Sequence, residues 1–270
     1  MYTNLELSAA DVVWSPPELA WLRNLFALVF PPLYFGRPLV LYEEGGPFDP
    51  EKGFKILSKY GVTIIVLTPT ILRLMMQVED PTARYDVSDV RVVLSGGEEV
   101  GQQLKQWIDD VFGGAAIHEA YGQTEANAII SECSALDVKR EDTMGKPVPG
   151  QDVTVVGPDT AEPLETPGEV GELAVKYDDN PIYMKEYLNL PEKTDRKMQN
   201  GWLLMEDLGH RRRGRLLLVL QSEGRCHHQL RPAARPGGDR GLPGRARGRA
   251  QRRGHRGAGR PARRSPGRVR

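Results

Sequence analysis

Two short apolar runs constrain the fold of this chain more than any other feature of its sequence. Residues 62–67 and 90–94 are apolar almost throughout and rich in β-branched side chains. They lack the strict polar alternation of a strand with one solvated face, so both are predicted to be strands buried on both faces. Each run leads through a turn, at Thr68-Pro69 and at Ser95-Gly96-Gly97, into a predicted helix. This alternation predicts an α/β fold with a mainly parallel sheet flanked by helices.

Further elements of residues 1–145 follow from proline, capping and apolar signals. Pro31-Pro32 is expected to end a buried helix that begins near residue 18. Asp49 before Pro50 is a helix N-cap signal. The predicted helices cover residues 18–30, 49–60, 68–76 and 99–111, and the additional predicted strands cover residues 38–42 and 115–119. We assign residues 1–145 to the α/β sheet region of one large domain.

Residues 146–209 have a different pattern, in which short apolar runs are separated by Pro and Gly turns. The runs at residues 153–156, 171–175 and 201–204 predict strands of a smaller and more antiparallel sheet. We interpret residues 146–209 as a β-rich subdomain of the same domain.

The formal net charge of zero conceals two parts of opposite charge. Residues 1–209 carry 17 Lys and Arg against 34 Asp and Glu, whereas residues 210–270 carry 19 Arg, no Lys and two acidic residues. Arg, Gly, Pro and Ala dominate the second part, where only residues 216–220 form an apolar run. Such a composition cannot bury a core, so residues 210–270 are predicted to be a disordered tail without a fold.

The cysteines and the apolar stretches bear on the cellular location. Cys133 and Cys226 have no metal-ligand spacing and form no disulfide framework, which favours a reducing compartment and a cytoplasmic protein. The beginning of the chain lacks the basic and then apolar pattern of a secretory signal. The most apolar stretches, residues 25–35 and 61–76, contain prolines and fall short of the roughly 20 residues of a membrane span. No transmembrane helix is predicted.

Two turns lie just beyond the carboxyl ends of predicted strands, where ligands bind in doubly wound sheets. In the first, residues 94–100, paired glycines let a flat ligand approach the backbone, and the next helix offers free N–H donors. The alternative is an ordinary strand-to-helix turn. In the second, residues 118–126, the Thr124 hydroxyl suits a phosphate and the Glu125 carboxylate suits Mg²⁺. The alternative is that Thr124 caps a short helix.

The string Tyr121-Gly-Gln-Thr-Glu-Ala126 resembles the core motif of the AMP-forming acyl-CoA synthetases, which belong to the adenylate-forming superfamily. Other segments resemble family segments in the same order, at residues 11–21, 95–98, 145–150, 168–175 and 201–209. The first of them is similar to the acetate and medium-chain branch of the family. The resemblance covers essentially all of residues 1–209 and implies the later part of the large adenylating domain.

The resemblance also implies a reaction and a set of site residues. Enzymes of this family convert ATP and a carboxylic acid to an acyl-adenylate with Mg²⁺, and then transfer the acyl group to CoA and release AMP. By resemblance, Thr124 and Glu125 are the catalytic residues, on the α-phosphate and on Mg²⁺. The residues expected to bind the nucleotide are Gly97, Glu98 and Glu99 along the adenine, Tyr121, Gly122 and Gln123 of the motif, and Asp207 on the ribose hydroxyls. The alternatives are a plain core aromatic for Tyr121 and a solvated turn acid for Asp207.

By the resemblance, Gly122 indicates which carboxylic acid the enzyme accepts. Acetate-specific members of the branch that this chain resembles have Trp at this position, which shortens the acyl pocket. Glycine opens the pocket, so the resemblance implies a medium-chain or branched acid rather than acetate.

Three departures from the family pattern bear on activity. The family's phosphate loop with its Lys lies upstream of the matched segment, and residues 1–11 contain no such loop, so we expect the N-terminal half of the domain to be missing. Met205-Glu206 replaces the usual Thr-Gly before Asp207. The family's C-terminal domain carries a hinge, an Arg and the adenylation Lys, whereas residues 210–270 contain no Lys. We therefore expect a truncated chain that is inactive alone.

The tail is interpreted as the family's C-terminal region read in a wrong frame. With permitted GC-rich codons and a skip of one base, residues 212–220 can be back-translated to encode DEDGYFWF, and residues 221–230 can continue as SRKADVIISS, which is a test of compatibility that uses the freedom of codon choice. Both strings resemble the family's sequence beyond this point, including its hinge. Sequencing the DNA across residues 210–215 tests the interpretation.

Two alternative functions remain open at this point. The 19 Arg of the tail favour polyanion binding, but the acidic remainder of the chain and the lack of a recognition motif argue against a specific nucleic-acid partner. The other alternative is a non-catalytic half that pairs with a separately encoded N-terminal half. By the resemblance to the acyl-CoA synthetases, the expected small-molecule partners are a carboxylic acid, ATP and CoA.

Overall fold

A computed structural model describes residues 2–16, 24–42, 45–138, 143–177 and 180–211, together with the backbone of residues 217–221. The helices of these ranges are α1 (Tyr2–Leu5), a π-helical segment (Leu25–Val29), α2 (Phe30–Tyr34), α3 (Pro50–Tyr60), α4 (Pro69–Met75), α5 (Pro81–Arg84), α6 (Gln102–Phe112), a 3-10 turn (Ser134–Leu136) and α7 (Pro191–Lys197). The strands are β1 (Val13–Trp14), β2 (Leu39–Val40), β3 (Ile64–Leu67), β4 (Val92–Gly96), β5 (Ala116–Gln123), β6 (Asn127–Ser131), β7 (Lys146–Pro147), β8 (Val153–Val156), β9 (Val170–Lys176), β10 (Met198–Gln199), β11 (Trp202–Arg211) and β12 (Leu217–Gln221).

The first sheet has seven strands in the order β2-β1-β3-β4-β5-β6-β7. The strands from β1 to β5 pair in parallel, and β6 and β7 pair antiparallel at one end. All four residues of β3 are buried, as the apolar run predicts. The α/β fold with a mainly parallel sheet is therefore confirmed.

Side-chain caps determine where two helices of this sheet begin. The Asp49 carboxylate accepts hydrogen bonds from the backbone N–H groups of Glu51 and Lys52 at the start of α3. Gly61, with φ +56°, ends α3 in the left-handed conformation that glycine adopts readily. The Thr68 hydroxyl accepts from the N–H of Ile71 at the start of α4. These caps confirm the predicted helix starts.

The prediction that a helix ends at Pro31-Pro32 is wrong. The chain passes from the π-helical segment directly into α2, and both prolines lie within α2. α2 directly continues the π-helical segment, in which the Phe30 N–H donates five residues back to the Leu25 carbonyl, and this wider hydrogen-bond pattern lets the helix continue through the two prolines. Residues 18–23 of the predicted helix lie outside the described residues.

Apolar clusters cover both faces of the first sheet. One face packs against α3, α4 and α6, with Phe54, Leu72 and Ile108 fully buried. The other face packs against α1 and the π-helical segment, through Leu5 and Leu28. A further cluster joins the β5–β6 region to the second sheet and includes Tyr121, Ile129, Leu173 and Leu203. The sequence motif thus lies where the two sheets meet.

The second sheet is antiparallel, in the order β10-β11-β9-β8, with β12 also paired to β11. It begins at Val153, and β7 (Lys146–Pro147) still belongs to the first sheet. A register shift separates the two halves of the β9–β11 pairing, between Leu204 and Leu208. The smaller, antiparallel sheet expected after the parallel one is therefore confirmed. The domain bounds of 146–209 stay a prediction.

The backbone of β12 forms a strand within residues 210–270, for which the sequence predicts no fold. Its residues belong to the one apolar run of that region, and they pair with an extension of β11 to Arg211. Residues 212–216 and 222–270, and with them most of the region on which the frameshift and nucleic-acid hypotheses depend, lie outside the described residues. Within the described part of the chain, no helix combines the length and the apolarity needed to cross a membrane.

Candidate functional site

The sequence motif lies on a hairpin. Tyr121, Gly122 and Gln123 are the last residues of β5, and Thr124, Glu125 and Ala126 form the turn to β6. The N–H of Ala126 donates to the carbonyl of Gln123 at 3.1 Å and closes the turn. No helix follows Thr124, so the alternative that it caps a short helix is wrong.

A cavity of about 470 Å³ opens beside this hairpin. Its described lining comprises Asn4, Ala27, Val66, Thr68, Leu94, Ser95, Gly96, Gly97, Ala120, Tyr121, Gly122, Gln123, Thr124, Glu125, Asn127 and Ala128. Six of the nine residues singled out from the sequence are in this lining, and Glu98, Glu99 and Asp207 are not. The carboxyl ends of β3, β4 and β5 therefore converge on one cavity, as expected for ligand sites in α/β sheets.

Gly122 is required by the close approach of two strands. A Cβ atom at this position would lie 2.0 Å from the carbonyl oxygen of Asn127 and 2.8 Å from the Cα of Ala128, both backbone atoms. The β5–β6 register shifts at this point, between Tyr121 and Gly122. The glycine thus permits the bulge of the hairpin while it also lines the cavity.

Asp207 joins the second sheet to the motif. It is 4% exposed, so the alternative of a solvated turn acid is wrong. The Tyr121 hydroxyl donates to Asp207 Oδ2, and Gln123 Nε2 donates to the same oxygen at 3.0 Å. Gln123 Nε2 also lies close to the carbonyl oxygen of Met205. Two residues of β5 therefore orient a carboxylate that follows them by more than 80 positions.

Residue 206 adopts the backbone conformation for which glycine is usual. Glu206 has φ +57°, which costs a non-glycine residue conformational energy. Its N–H donates to Glu172 Oε1 at 2.8 Å, and its own carboxylate lies 3.6 Å from Lys197 Nζ. Met205, the other replaced residue, is fully buried between the sheets.

Glu125 is held by the loop that precedes α7. Its Oε1 accepts from the Tyr187 hydroxyl at 2.6 Å, and its carbonyl accepts from the N–H of Met184 at 2.8 Å. Burial acts to raise the pKa of the Glu125 carboxyl, but the Tyr187 hydrogen bond and the charges of Lys197 and Lys193 outweigh it and lower that pKa. Burial and the same carboxylate raise the pKa of the Tyr187 phenol. Glu125 is therefore ionised at neutral pH.

The two other acidic residues of the prediction lie at the surface. Glu98 accepts from the Thr70 hydroxyl at 2.7 Å and pairs with Arg73 at 2.9 Å. Both interactions lower the pKa of the Glu98 carboxyl. Glu99 is exposed. Of this turn, the cavity receives Ser95, Gly96 and Gly97 rather than the carboxylates.

Two residues around the site were missed in the sequence analysis. Tyr187 contacts Glu125, and the buried Lys197 donates to Gln123 Oε1 at 3.2 Å. Both come from a segment that packs against the hairpin only in the folded chain. Neither carries a local sequence signal, since a Tyr in a loop and a Lys at a helix end are common at protein surfaces.

Comparisons with known proteins identify the family of this chain. The family described as AMP-binding enzyme matches residues 1–188. The acetyl-coenzyme A synthetase of Bacillus subtilis (strain 168) is 31% identical over 206 residues, which are 75% of this chain and 35% of that protein. An uncharacterized acyl–CoA ligase of the same organism, YtcI, is 30% identical over 203 residues, which are 75% of this chain and 37% of that protein.

A solved structure has the same fold. The crystal structure of the Brucella canis acyl-CoA synthetase matches with a TM-score of 0.73 and 27% identity, over 82% of this chain and 40% of that one. The chain thus spans little more than a third of the length of the curated relatives described above. From the family match and these relatives together, the chain belongs to the AMP-binding enzymes, the adenylate-forming family that contains the acyl-CoA ligases.

Proposed function

We propose that this chain forms the adenosine-binding part of an AMP-forming acyl-CoA synthetase. The observation that carries the proposal is the buried carboxylate of Asp207, which receives hydrogen bonds from Tyr121 and Gln123 next to the cavity. A carboxylate with a fixed orientation is suited to accept hydrogen bonds from the two vicinal hydroxyls of a ribose. The apolar ring of Tyr121 lies against the same cavity, where it is suited to contact the adenine.

The proposed reaction has two steps. A carboxylate oxygen of the acid attacks the α-phosphorus of ATP, and pyrophosphate leaves with the bonding electrons. The thiolate sulfur of CoA then attacks the carbonyl carbon of the acyl-adenylate, and AMP leaves. Thr124, exposed in the hairpin turn, is suited to donate its hydroxyl to an α-phosphate oxygen. Catalysis of this kind consists mainly of positioning and charge stabilisation, which the rigid hairpin supports.

The donor set is compatible with Mg²⁺ bound mainly through the nucleotide. Glu125 is ionised and lines the cavity, and among the described residues no group of three His, Cys, Asp or Glu forms a complete metal site. A single carboxylate suits Mg²⁺, which usually keeps several waters and substrate phosphate oxygens as ligands. When bound, the ion would neutralise charge on the phosphates, and Glu125 would hold it beside Thr124.

The acid is proposed to be of medium length or branched. Ala27, Val66 and Leu94 give one wall of the cavity an apolar surface without bulky aromatic side chains. Gly122 adds no side chain to the same space. An apolar acyl chain gains roughly 0.8 kcal/mol for each methylene that it buries, so this wall favours a longer chain over acetate.

The chain alone is proposed to bind nucleotide without completing the reaction. It spans 35–37% of the length of the two Bacillus relatives, so other parts of the whole protein would supply the remaining groups. The acceptance of CoA is proposed because those relatives are named as a CoA ligase and a CoA synthetase. A cytoplasmic location stays a prediction from the cysteine pattern.

The experiment is a calorimetric titration of the chain with AMP and with non-hydrolysable acyl-adenylate analogues that carry acetyl or octanoyl groups. We expect AMP to bind, the octanoyl analogue to bind more tightly than the acetyl analogue, and Asp207→Asn to weaken AMP binding about tenfold. Asp110→Asn, an exposed change of the same chemistry, should leave binding unchanged. Absence of AMP binding by folded protein would refute the proposal.

ATP–pyrophosphate exchange tests the second half of the proposal. We expect no exchange from the chain alone with any carboxylic acid. Exchange would contradict the claim of inactivity and would strengthen the assignment of the reaction.

A second candidate role is a non-catalytic half that pairs with a separately encoded partner. It is favoured by the large apolar side chains exposed on and after α2, among which Tyr34 is 83%, Leu33 62% and Leu41 57% exposed. Co-expression with the product of an adjacent reading frame that carries a phosphate loop tests this role. Co-purification with restored exchange would support it, and independent behaviour of the two chains would exclude it.

A further inference from the structure

Lys197, at the end of α7, is unusual because it is almost completely buried. Its side chain is 3% exposed, whereas its neighbour Arg196 is exposed to solvent. An ammonium group loses several kcal/mol of hydration when it is buried, so it persists only where acceptors compensate for the loss. Its acceptors therefore indicate why the charge is there.

Two acceptors hold the Lys197 ammonium beside the candidate site. Nζ donates to Gln123 Oε1 at 3.2 Å, and Glu206 Oε2 lies 3.6 Å from it. Gln123 is in the lining of the cavity, and Glu206 directly precedes Asp207. The cation thus contacts the strand β5, which donates hydrogen bonds to Asp207, and the residue that directly precedes Asp207 in β11.

The contact with Lys197 determines which end of the Gln123 side chain faces Asp207. Because the ammonium can only donate, it requires the amide oxygen of Gln123 on its own side. The amide nitrogen is then directed to Asp207 Oδ2, 3.0 Å away, and towards the Tyr121 hydroxyl, 3.4 Å away. The flipped amide would place an oxygen against a carboxylate and an N–H₂ group against an ammonium, and both contacts are repulsive.

We propose that Lys197 is a positioning residue that fixes the Asp207 carboxylate for ribose through the side chain of Gln123. The inference rests on the proposed function, because it assumes that Asp207 accepts hydrogen bonds from the ribose hydroxyls. Lys197 is not part of the described lining of the cavity, so it acts through Gln123, which is. In addition to lowering the pKa of the Glu125 carboxyl, its charge selects one orientation of the Gln123 amide group.

The test compares AMP with 2′,3′-dideoxy-AMP, which lacks both ribose hydroxyls, in calorimetric titrations of the whole chain. In Lys197→Met we expect AMP to bind about tenfold more weakly, as for loss of one hydrogen bond to a charged group, while affinity for the dideoxy nucleotide is unchanged. Arg196→Met, the same change at the exposed neighbour, should alter neither affinity.

Gln123→Met provides a second route if Lys197→Met does not fold. It removes the same link from the other side, so it should show the same ribose-dependent loss. Where both variants fold, the double variant should lose no more affinity for AMP than Gln123→Met alone, because Lys197 acts through Gln123.

The outcomes separate this inference from the proposed function. Wild-type protein that does not bind AMP would overturn both. Wild-type binding with equal AMP affinity in Lys197→Met, or with equal losses for the two nucleotides, would overturn only the positioning role. A loss confined to AMP supports it.

Discussion

The carboxylate of Asp11 anchors the start of β1 to the middle of the first sheet and offers a direct test of how this sheet is stabilised. Asp11 is 1% exposed. Its Oδ1 accepts from Arg91 Nε at 2.8 Å and from the Thr63 hydroxyl at 2.7 Å, and its Oδ2 accepts from Arg91 Nη2 at 2.6 Å. The N–H of Ser8 donates to the same carboxylate. The perturbation is Asp11→Asn, which keeps the shape of the side chain and removes its charge.

The expected magnitude follows from the exposure of the two partners. Loss of one partner of a buried ion pair costs about 3–5 kcal/mol because the other charge is left without compensation. The Arg91 side chain is 37% exposed and its Nη1 also lies 3.9 Å from Glu6 Oε2, so water and Glu6 compensate part of its charge and the expected loss is about 2–3 kcal/mol. With a urea dependence of about 2 kcal/mol per molar, the unfolding midpoint should fall by about 1 M.

The assay is urea unfolding followed by tryptophan fluorescence, since the buried Trp14 lies in β1, close to Asp11 in the chain. Asp110→Asn, on the exposed face of α6, is the matched control and should leave the midpoint unchanged. A midpoint in Asp11→Asn equal to that of wild type would refute the assignment of stability to this ion pair.

The pH dependence provides a second readout of the same group. Burial acts to raise the pKa of the Asp11 carboxyl, but the hydrogen bonds from Arg91, Thr63 and Ser8 outweigh it and hold that pKa well below its ordinary value. Stability from a lowered pKa is fully present above the pKa of the unfolded chain and is lost as the pH falls towards the folded value. The difference between wild type and Asp11→Asn should therefore be constant near neutral pH and shrink below about pH 4. A constant difference down to about pH 3 would contradict this explanation.

Two further changes test the β5–β6 hairpin and the Glu125 carboxylate proposed to hold Mg²⁺. Tyr187→Phe removes a hydrogen-bond donor to Glu125, so the pKa of the Glu125 carboxyl should rise. In titrations from neutral to acidic buffer, Mg²⁺-dependent ATP binding should then be lost at a higher pH than in wild type, and an unchanged pH profile would exclude the effect. Gly122→Ala places a Cβ 2.0 Å from the Asn127 carbonyl oxygen, so the hairpin must shift. The free energy of unfolding measured in urea titrations should fall by about 1–3 kcal/mol, and wild-type stability would show that the bulge is not fixed.

The parts of the fold that could be predicted from the sequence are those with a local cause. The caps at Asp49 and Thr68 act on N–H groups two or three positions away, so a few consecutive residues are enough to predict where these helices begin. The strand β3 was identifiable because burial on both faces requires an unbroken apolar run. The prediction at Pro31 is wrong because the preceding turns are π-helical, a hydrogen-bond pattern that has no signal in the sequence.

The site was only partly predictable for the same reason. The motif string marked Tyr121 and Gln123, and the family resemblance marked Asp207, but the hydrogen bonds that join them cross from one sheet to the other. The burial of Lys197 depends on the same sheet-to-sheet packing. Charge at a helix end is ordinarily solvated, so nothing in the order of residues around position 197 distinguishes it.

The interrupted pairing of β11 has a consequence for insertions and deletions. Between Leu204, opposite Ala174, and Leu208, opposite Glu172, β11 contains two residues more than β9. Because side chains alternate with a period of two, an even excess leaves Leu204 and Leu208 on the same side of the sheet. Removal of one residue here would turn the rest of β11 over, whereas removal of two would restore a regular ladder and remove the register shift within which Asp207 lies. The number of residues between Leu204 and Leu208 can therefore change only in steps of two if the rest of β11 is to keep its orientation. Asp207 occupies this position because the ladder between β9 and β11 is irregular there.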